Sequence, residues 1–195
     1  MMERGRLNDA LVTLGALLEE RGEHISVLVI GGGSLLLLGV VERPTADIDV
    51  VGYPSAVGYV KADVLPDFLV LAVRDVGDAL GLGPTWFNSG PADLVDFGLP
   101  PGLADRVTVR KYGTLEVHLP AIEDLICFKL YAAVDLTERS KHFIDLQALA
   151  PTKEQLLKAA RWTRTHDPSD GFLRELQRIL ALLDVEISDA DLSIP

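Results

Sequence analysis

A single cysteine, Cys127, stands alone among 195 residues, so no intramolecular disulfide staples this chain. Histidine is nearly as scarce, and His24, His118, His142 and His166 show no zinc-ligand spacing. No apolar run reaches the ~18 residues that a membrane-spanning helix needs. The first residues lack a basic segment leading into an apolar core, so no signal peptide is expected, and a soluble cytoplasmic protein is. Positive charge is also short. There are 18 Lys and Arg against 29 Asp and Glu, a net charge of −11. That balance repels a phosphate backbone at long range and argues against nonspecific nucleic-acid binding, although a local basic pocket stays open.

Apolar residues are plentiful, at 48%, which supplies a buried core and argues against disorder. The length predicts one domain with a helical addition. Leu7, Leu11, Leu14, Leu17 and Leu18 recur at helical spacing. "ISVLVIG" reads as a buried strand, "SLLLLG" as a short helix closed by Gly39, and "DIDVVG" as a second strand. Residues 53–64 read as loop, and "PDFLVLAVRDVGDALGL" as a helix. "PTWFNSGPADLVDFGLPPG" reads as mostly irregular. "DRVTVRKYGTLEVHLP" reads as a hairpin turning at Tyr112 and Gly113. Four helices are expected after Pro120, the third opened by a Thr152–Gln155 capping box. The expected fold is therefore α/β (α+β), mixed over the front two-thirds and helical after it. Residues 1–119 form the core and 120–195 a helical region packed on it.

The stretch "VIGGGSLLLLGVVERPTADIDVVG" concentrates the chemistry. Side chains alternate along a strand, so Asp47 and Asp49 share a face, roughly 6.6 Å apart along the chain. Two carboxylates so placed repel unless a cation lies over them. Magnesium takes oxygen ligands and keeps places for water and substrate phosphates, and a pair of such ions serves in-line displacement at phosphorus. Gly32 and Gly33 let backbone approach a ligand closely. The following helix would aim free N–H groups at a triphosphate, with the Ser34 hydroxyl beside them. Read blandly, "DID" only opens an exposed strand; the glycine-serine turn upstream weighs against that.

Gly33-Ser34, twelve residues, then Asp47-Ile48-Asp49-Val50 resembles the signature of the polymerase-beta-like nucleotidyltransferase superfamily. The longer string is similar to the bacterial branch that holds the AbiE-type and MenT-type toxins and related small nucleotidyltransferases. That branch carries a helical lysine, matched by Lys129 in "LICFKLYAAVD", and a later R-x-x-K-D-x-x-D-L segment, matched in "RSKHFIDL" by Lys141 and Asp145, with Arg139 one residue nearer the lysine than the pattern has it. His142 stands where the family has an aspartate. The resemblance covers about residues 25–150 and implies a small mixed or antiparallel sheet flanked by helices, followed by a helical bundle. It implies transfer of a nucleoside monophosphate from a nucleoside triphosphate, with magnesium, or manganese, as the metal. It also implies catalytic roles for Asp47, Asp49, Lys129 and Asp145, and nucleotide contacts from Gly32, Gly33, Ser34, Arg43 and Lys129. A tRNA 3′ end as acceptor, and a cognate antitoxin as partner, follow from the toxin branch; protein and small-molecule acceptors stay open.

Other residues carry two readings each. Lys129 lies in an apolar stripe with Ile122, Ile126 and Ala133; it either meets an anion or snorkels to water. Asp145 either serves the site or pairs with Lys141 four residues earlier. Glu116 either completes a metal site with Asp47 and Asp49 or sits on a solvated hairpin face. Arg43 either grips phosphates bidentately or is an ordinary exposed loop arginine. Trp86 either stacks on a base or fills the core, and Asn88 is placed to read a base edge. Arg110, Lys111, Lys129, Arg139, Lys141, Lys158, Arg161 and Arg164 are the residues available for a basic cleft.

Two other functions compete. Gly31 and Gly33 begin a dinucleotide-binding G-x-G-x-x-G, but Leu36 replaces its third glycine. A P-loop is excluded, since no Gly-Lys-Ser/Thr follows the glycines. The other alternative is a catalytically silent module that keeps the nucleotidyltransferase fold as a binding or regulatory partner.

Overall fold

A computed structural model describes residues 1–192; the last three residues of the expected helical region lie outside them. The chain forms two compact units, Met1–Ala121 and a second beginning at Ile122. The first contains α1 (Arg4–Glu20), β1 (Ile25–Ile30), α2 (Gly31–Leu38), β2 (Ile48–Ser55), β3 (Gly58–Lys61), α3 (Asp67–Leu80), β4 (Phe87–Asn88), β5 (Thr108–Tyr112) and β6 (Leu115–Leu119). The second contains α4 (Ile122–Leu136), α5 (Lys141–Leu149), α6 (Lys153–His166) and α7 (Asp170–Ala181). The fold is α+β, as the alternation of patterns predicts.

Among the described residues, six strands make one sheet in the order β3-β2-β1-β6-β5, with β4 also pairing on β2. The hydrophobic run of β1 explains its central place: Val27, Leu28, Val29 and Ile30 are all buried, as a strand covered on both faces requires. It runs antiparallel to β2 and parallel to β6. This corrects the dinucleotide-binding alternative, whose β-α-β unit needs its two strands parallel; here β1-α2-β2 reverses direction. A bulge interrupts the β1–β2 register, which passes from Val29↔Val50 to Leu28↔Gly52 and leaves Val51 as the extra residue. Val50, Val51 and Gly52 are consequently all buried. Bulges of this kind bend a strand and re-aim its side chains.

Leu7, Leu11, Leu14 and Leu18 of α1 are buried along one stripe, the spacing that makes this helix amphipathic. In α3 the buried residues are Leu69, Ala72, Val73 and Val76. Both helices end as their sequences predict, α2 on Gly39 and α3 on Gly81, each in the left-handed region. Two strands escape the sequence reading: β3 falls within the expected 53–64 loop, and β4 within the irregular stretch. Trp86 is a core residue, its Nε1 donating to the Val73 carbonyl at 2.9 Å.

In the second unit α6 opens with the expected capping box, Thr152 and Gln155 exchanging side-chain-to-backbone bonds. Ser140 and Ser169 cap α5 and α7 in the same manner; each saturates an N–H that the helix itself leaves unbonded. Leu176, Ile179 and Leu180 form the buried stripe of α7.

Candidate functional site

Strand β1 ends at Ile30, and the chain turns at once into α2 through Gly31, whose φ of 78° falls in the left-handed region. Only glycine adopts that conformation without strain. Its missing side chain matters as well. A Cβ on Gly31 would collide with Oδ2 of Asp49. One on Gly32 would sit 3.2 Å from Oγ1 of Thr45 and 3.3 Å from Nη2 of Arg43, and one on Gly33 would lie 3.0 Å from the carbonyl oxygen of Asp47. Gly31 and Gly32 thus form a floor without side chains beside Asp49, Arg43 and Thr45, while Gly33 packs on the buried Ile48 beneath the Asp47 carbonyl. All of these belong to the first unit.

The register explains the convergence. Asp49 pairs with Ile30 on one side and with Asn88 on the other, so the end of β1 brings the glycine turn beside the aspartates. Asp47 precedes the first residue of β2. Ile48 and Val50 are fully buried, whereas Asp47 and Asp49 are half-buried, the alternation that a strand imposes. Thr45 is buried, and its Oγ1 donates to the Asp47 carbonyl at 3.2 Å while lying 3.5 Å from Asp47 Oδ1. Arg43 turns Nη1 to the Pro44 carbonyl at 3.3 Å, which leaves the other edge of its guanidinium over Gly32. Thr45 was not among the residues singled out from sequence; its place in "RPTAD", two before the first aspartate, was the available signal.

Ser34, one turn into α2, is fully buried, and its Oγ has no hydrogen-bond partner. The N-terminus of α2 also carries no side-chain cap, so its first N–H groups, with the positive end of the helix dipole, are unsatisfied by side chains. A polar, open-floored turn with an orphaned hydroxyl suits an anion such as phosphate. Among the described residues no group of three or more His, Cys, Asp and Glu is arranged to hold a metal. Asp47 and Asp49 are two carboxylates, a set that suits magnesium completing its shell with water and substrate phosphate.

Glu116 stands elsewhere. It pairs with Ser26 on β1, whereas Asp49 pairs with Ile30 four residues further along, a separation of roughly 13 Å along the strand. Its carboxylate is engaged by Lys111 at 2.7 Å and by the Ser26 hydroxyl at 3.0 Å. These two contacts, Lys111 first, hold it below the ordinary glutamate range. Register therefore does not bring Glu116 to the aspartates. Beside it, His118 lies against Tyr59, with Nδ1 2.7 Å from the phenolic oxygen. Burial pushes His118 down, against an upward pull from Glu116, and pushes the Tyr59 hydroxyl up to about 12. Asn88 is engaged by neighbouring backbone: its Nδ2 donates to the Thr85 and Ile48 carbonyls and its Oδ1 accepts from the Gly90 N–H.

Within the second unit, Lys129 and Asp145 find each other, Nζ to Oδ2 at 2.7 Å, and both are sealed from solvent. Lys129 does not snorkel, and its anionic neighbour here is Asp145. Asp145 in turn is held from α4 by Lys129 rather than by Lys141 on its own helix. Several residues available for a basic cleft are engaged locally. Lys158 pairs with Glu123, Arg161 donates to the Asp191 carbonyl, and Arg164 binds the carbonyls of Asp167, Pro168 and Ser169.

A family model described as a nucleotidyltransferase of unknown function (DUF6036) matches residues 7–147. Comparison with curated proteins and with solved structures gives no match.

Proposed function

The chain belongs to this nucleotidyltransferase family, and from that premise we propose that it moves a nucleoside monophosphate from a nucleoside triphosphate to an acceptor hydroxyl. The observation that carries the reading is the glycine floor: the absent Cβ of Gly31 faces the Asp49 carboxylate and that of Gly32 faces Arg43 with Thr45, with Gly33 against Ile48 and the Asp47 carbonyl behind them. The triphosphate would lie on this floor. The free N–H groups of α2 and the Ser34 hydroxyl would donate to its oxygens, and the Arg43 guanidinium would neutralise its charge. Asp47 and Asp49 would hold magnesium, or manganese, which when bound orients phosphate oxygens and offsets the charge that develops on them. Asp49 would take the proton of the acceptor hydroxyl as the new oxygen–phosphorus bond forms and pyrophosphate leaves.

Resemblance to the AbiE-type and MenT-type branch makes a tRNA 3′ end the first acceptor to test, with a cognate antitoxin as partner. The net charge of −11 favours a second reading, in which the acceptor is a protein or a small molecule. The test incubates the protein with each labelled nucleoside triphosphate and magnesium, with and without total tRNA. Transfer that disappears in Asp47→Asn and Asp49→Asn and on chelation supports the proposal. Absence of transfer together with absence of magnesium-dependent triphosphate binding refutes it and leaves the silent module. Label on the protein alone selects the second reading.

A further inference from the structure

Strand β3 ends the sheet: among the described residues its one pairing partner is β2. Edge strands are commonly protected by an outward charge. The one charged residue of β3 is Lys61, and it is drawn aside. Its Nζ lies 2.5 Å from Asp93, 2.8 Å from Asp96 and 3.3 Å from Asp63. Beside these exposed carboxylates the surface is apolar. Val57 is 92% exposed, Val64 75% and Phe97 58%, and Val60 stands out on the strand itself. Beside the turn that leads into β3 lies a cavity of about 530 Å³, walled on one side by Ala56–Tyr59 and on the other by the loop 99–105.

Charge identifies the occupant. Three carboxylates, Asp63, Asp93 and Asp96, gather round the single charge of Lys61 at the edge, and Asp105 lines the cavity. Arg106 is turned back on its own loop, Nη2 to the Pro101 carbonyl at 2.9 Å. We propose that this edge receives an extended, basic segment of a protein partner, which adds a strand to β3. Main-chain bonds to the outer edge of β3 would supply affinity, and alternate apolar side chains would cover Val57 and Val60. Basic residues on the segment would meet the aspartates. The same acidic rim repels nucleic acid and a second copy of this chain. The inference is independent of the nucleotide reading, since Asp49 is flanked by β4 rather than β3.

The test titrates the full chain with a short peptide of alternating lysine and valine, followed by calorimetry and by amide exchange. The expected result is saturable binding that weakens as salt is raised and slows exchange at Tyr59–Lys61, with no binding of a glutamate–valine peptide. The double variant Val57→Lys with Val60→Lys alters only exposed positions and should weaken binding tenfold or more. Three outcomes overturn the proposal. One is no binding of the lysine–valine peptide. Another is undiminished binding to the double variant. The third is self-association of the free protein that the double variant abolishes, which would make a second copy the occupant.

Discussion

Lys129 Nζ donates to Asp145 Oδ2 at 2.7 Å, and the two side chains are 2% and 1% exposed. Sixteen residues separate them, so α4 and α5 must pack before this pair forms. Removal of one partner takes this ion pair from the other in a medium that solvates charge poorly. Lys129→Met is expected to cost about 3–5 kcal/mol, while Lys129→Met with Asp145→Leu recovers most of it. Urea denaturation of the three proteins checks this. If the double variant folds well and nucleotidyl transfer is still lost, the pair acts in the reaction as well as in the fold.

Gly31 and Gly22 provide a controlled comparison. Both have positive φ, 78° and 71°, but a Cβ on Gly22 meets nothing, whereas one on Gly31 strikes the Asp49 carboxylate. Gly22→Ala is expected to cost about 1–2 kcal/mol in unfolding free energy from backbone strain alone, with triphosphate binding intact. Gly31→Ala should cost more and abolish binding as well. Calorimetric titration with a non-hydrolysable triphosphate, beside thermal melts, distinguishes the two effects.

Acid should weaken the first unit in two stages. His118 is depressed in the folded state by burial, so stability from its neutral form is complete above the ordinary histidine value of 6.5. That stability is lost as pH falls through the folded value. Glu116 is depressed by Lys111 and Ser26, so its contribution is complete above the ordinary glutamate value and lost at lower pH still. Chemical unfolding of wild type should therefore become easier between pH 7 and pH 5, and His118→Gln should flatten that first stage. An unchanged slope in the variant would assign the acid sensitivity to another group.

Thr45 offers a smaller test. Its hydroxyl donates to the Asp47 carbonyl, so Thr45→Val should leave the helices and sheet unchanged while loosening the approach to β2. A destabilisation of about 1 kcal/mol is expected, with a larger proportional fall in transfer rate than in triphosphate affinity. Single-turnover kinetics beside equilibrium binding would reveal the split.

The residues at the glycine turn were legible because their order along the chain is also their order in space: strand, turn, helix, strand. Periodicity and two capping glycines delimited these elements. β3 and β4 were not legible, for a physical reason. Four residues and two residues are too few to display a period, and both are strands only because β2 supplies a partner. Glu116 shows the other limit. Alternation placed it correctly on the face opposite Leu115 and Val117, but the register with β1, which decides its distance from Asp49, has no local signal. Lys129 and Asp145 were both singled out; that each would be the other's partner depends on helix packing across a sixteen-residue separation.

The parallel pairing of β1 with β6 also sets a timetable. Ser26 and its partner Glu116 are 90 positions apart, so the most apolar strand in the chain waits for a neighbour made much later. At a synthesis rate of ~5–20 residues per second, the wait lasts about 5 to 18 s. During that time "ISVLVI" is a hydrophobic strand with one side unpaired, the kind of segment that invites aggregation. Closing so long a loop places the unit among the slower folders. Newly made chains should therefore depend on chaperones until Leu115–Leu119 has emerged from the ribosome, and refolding yield should fall steeply with protein concentration.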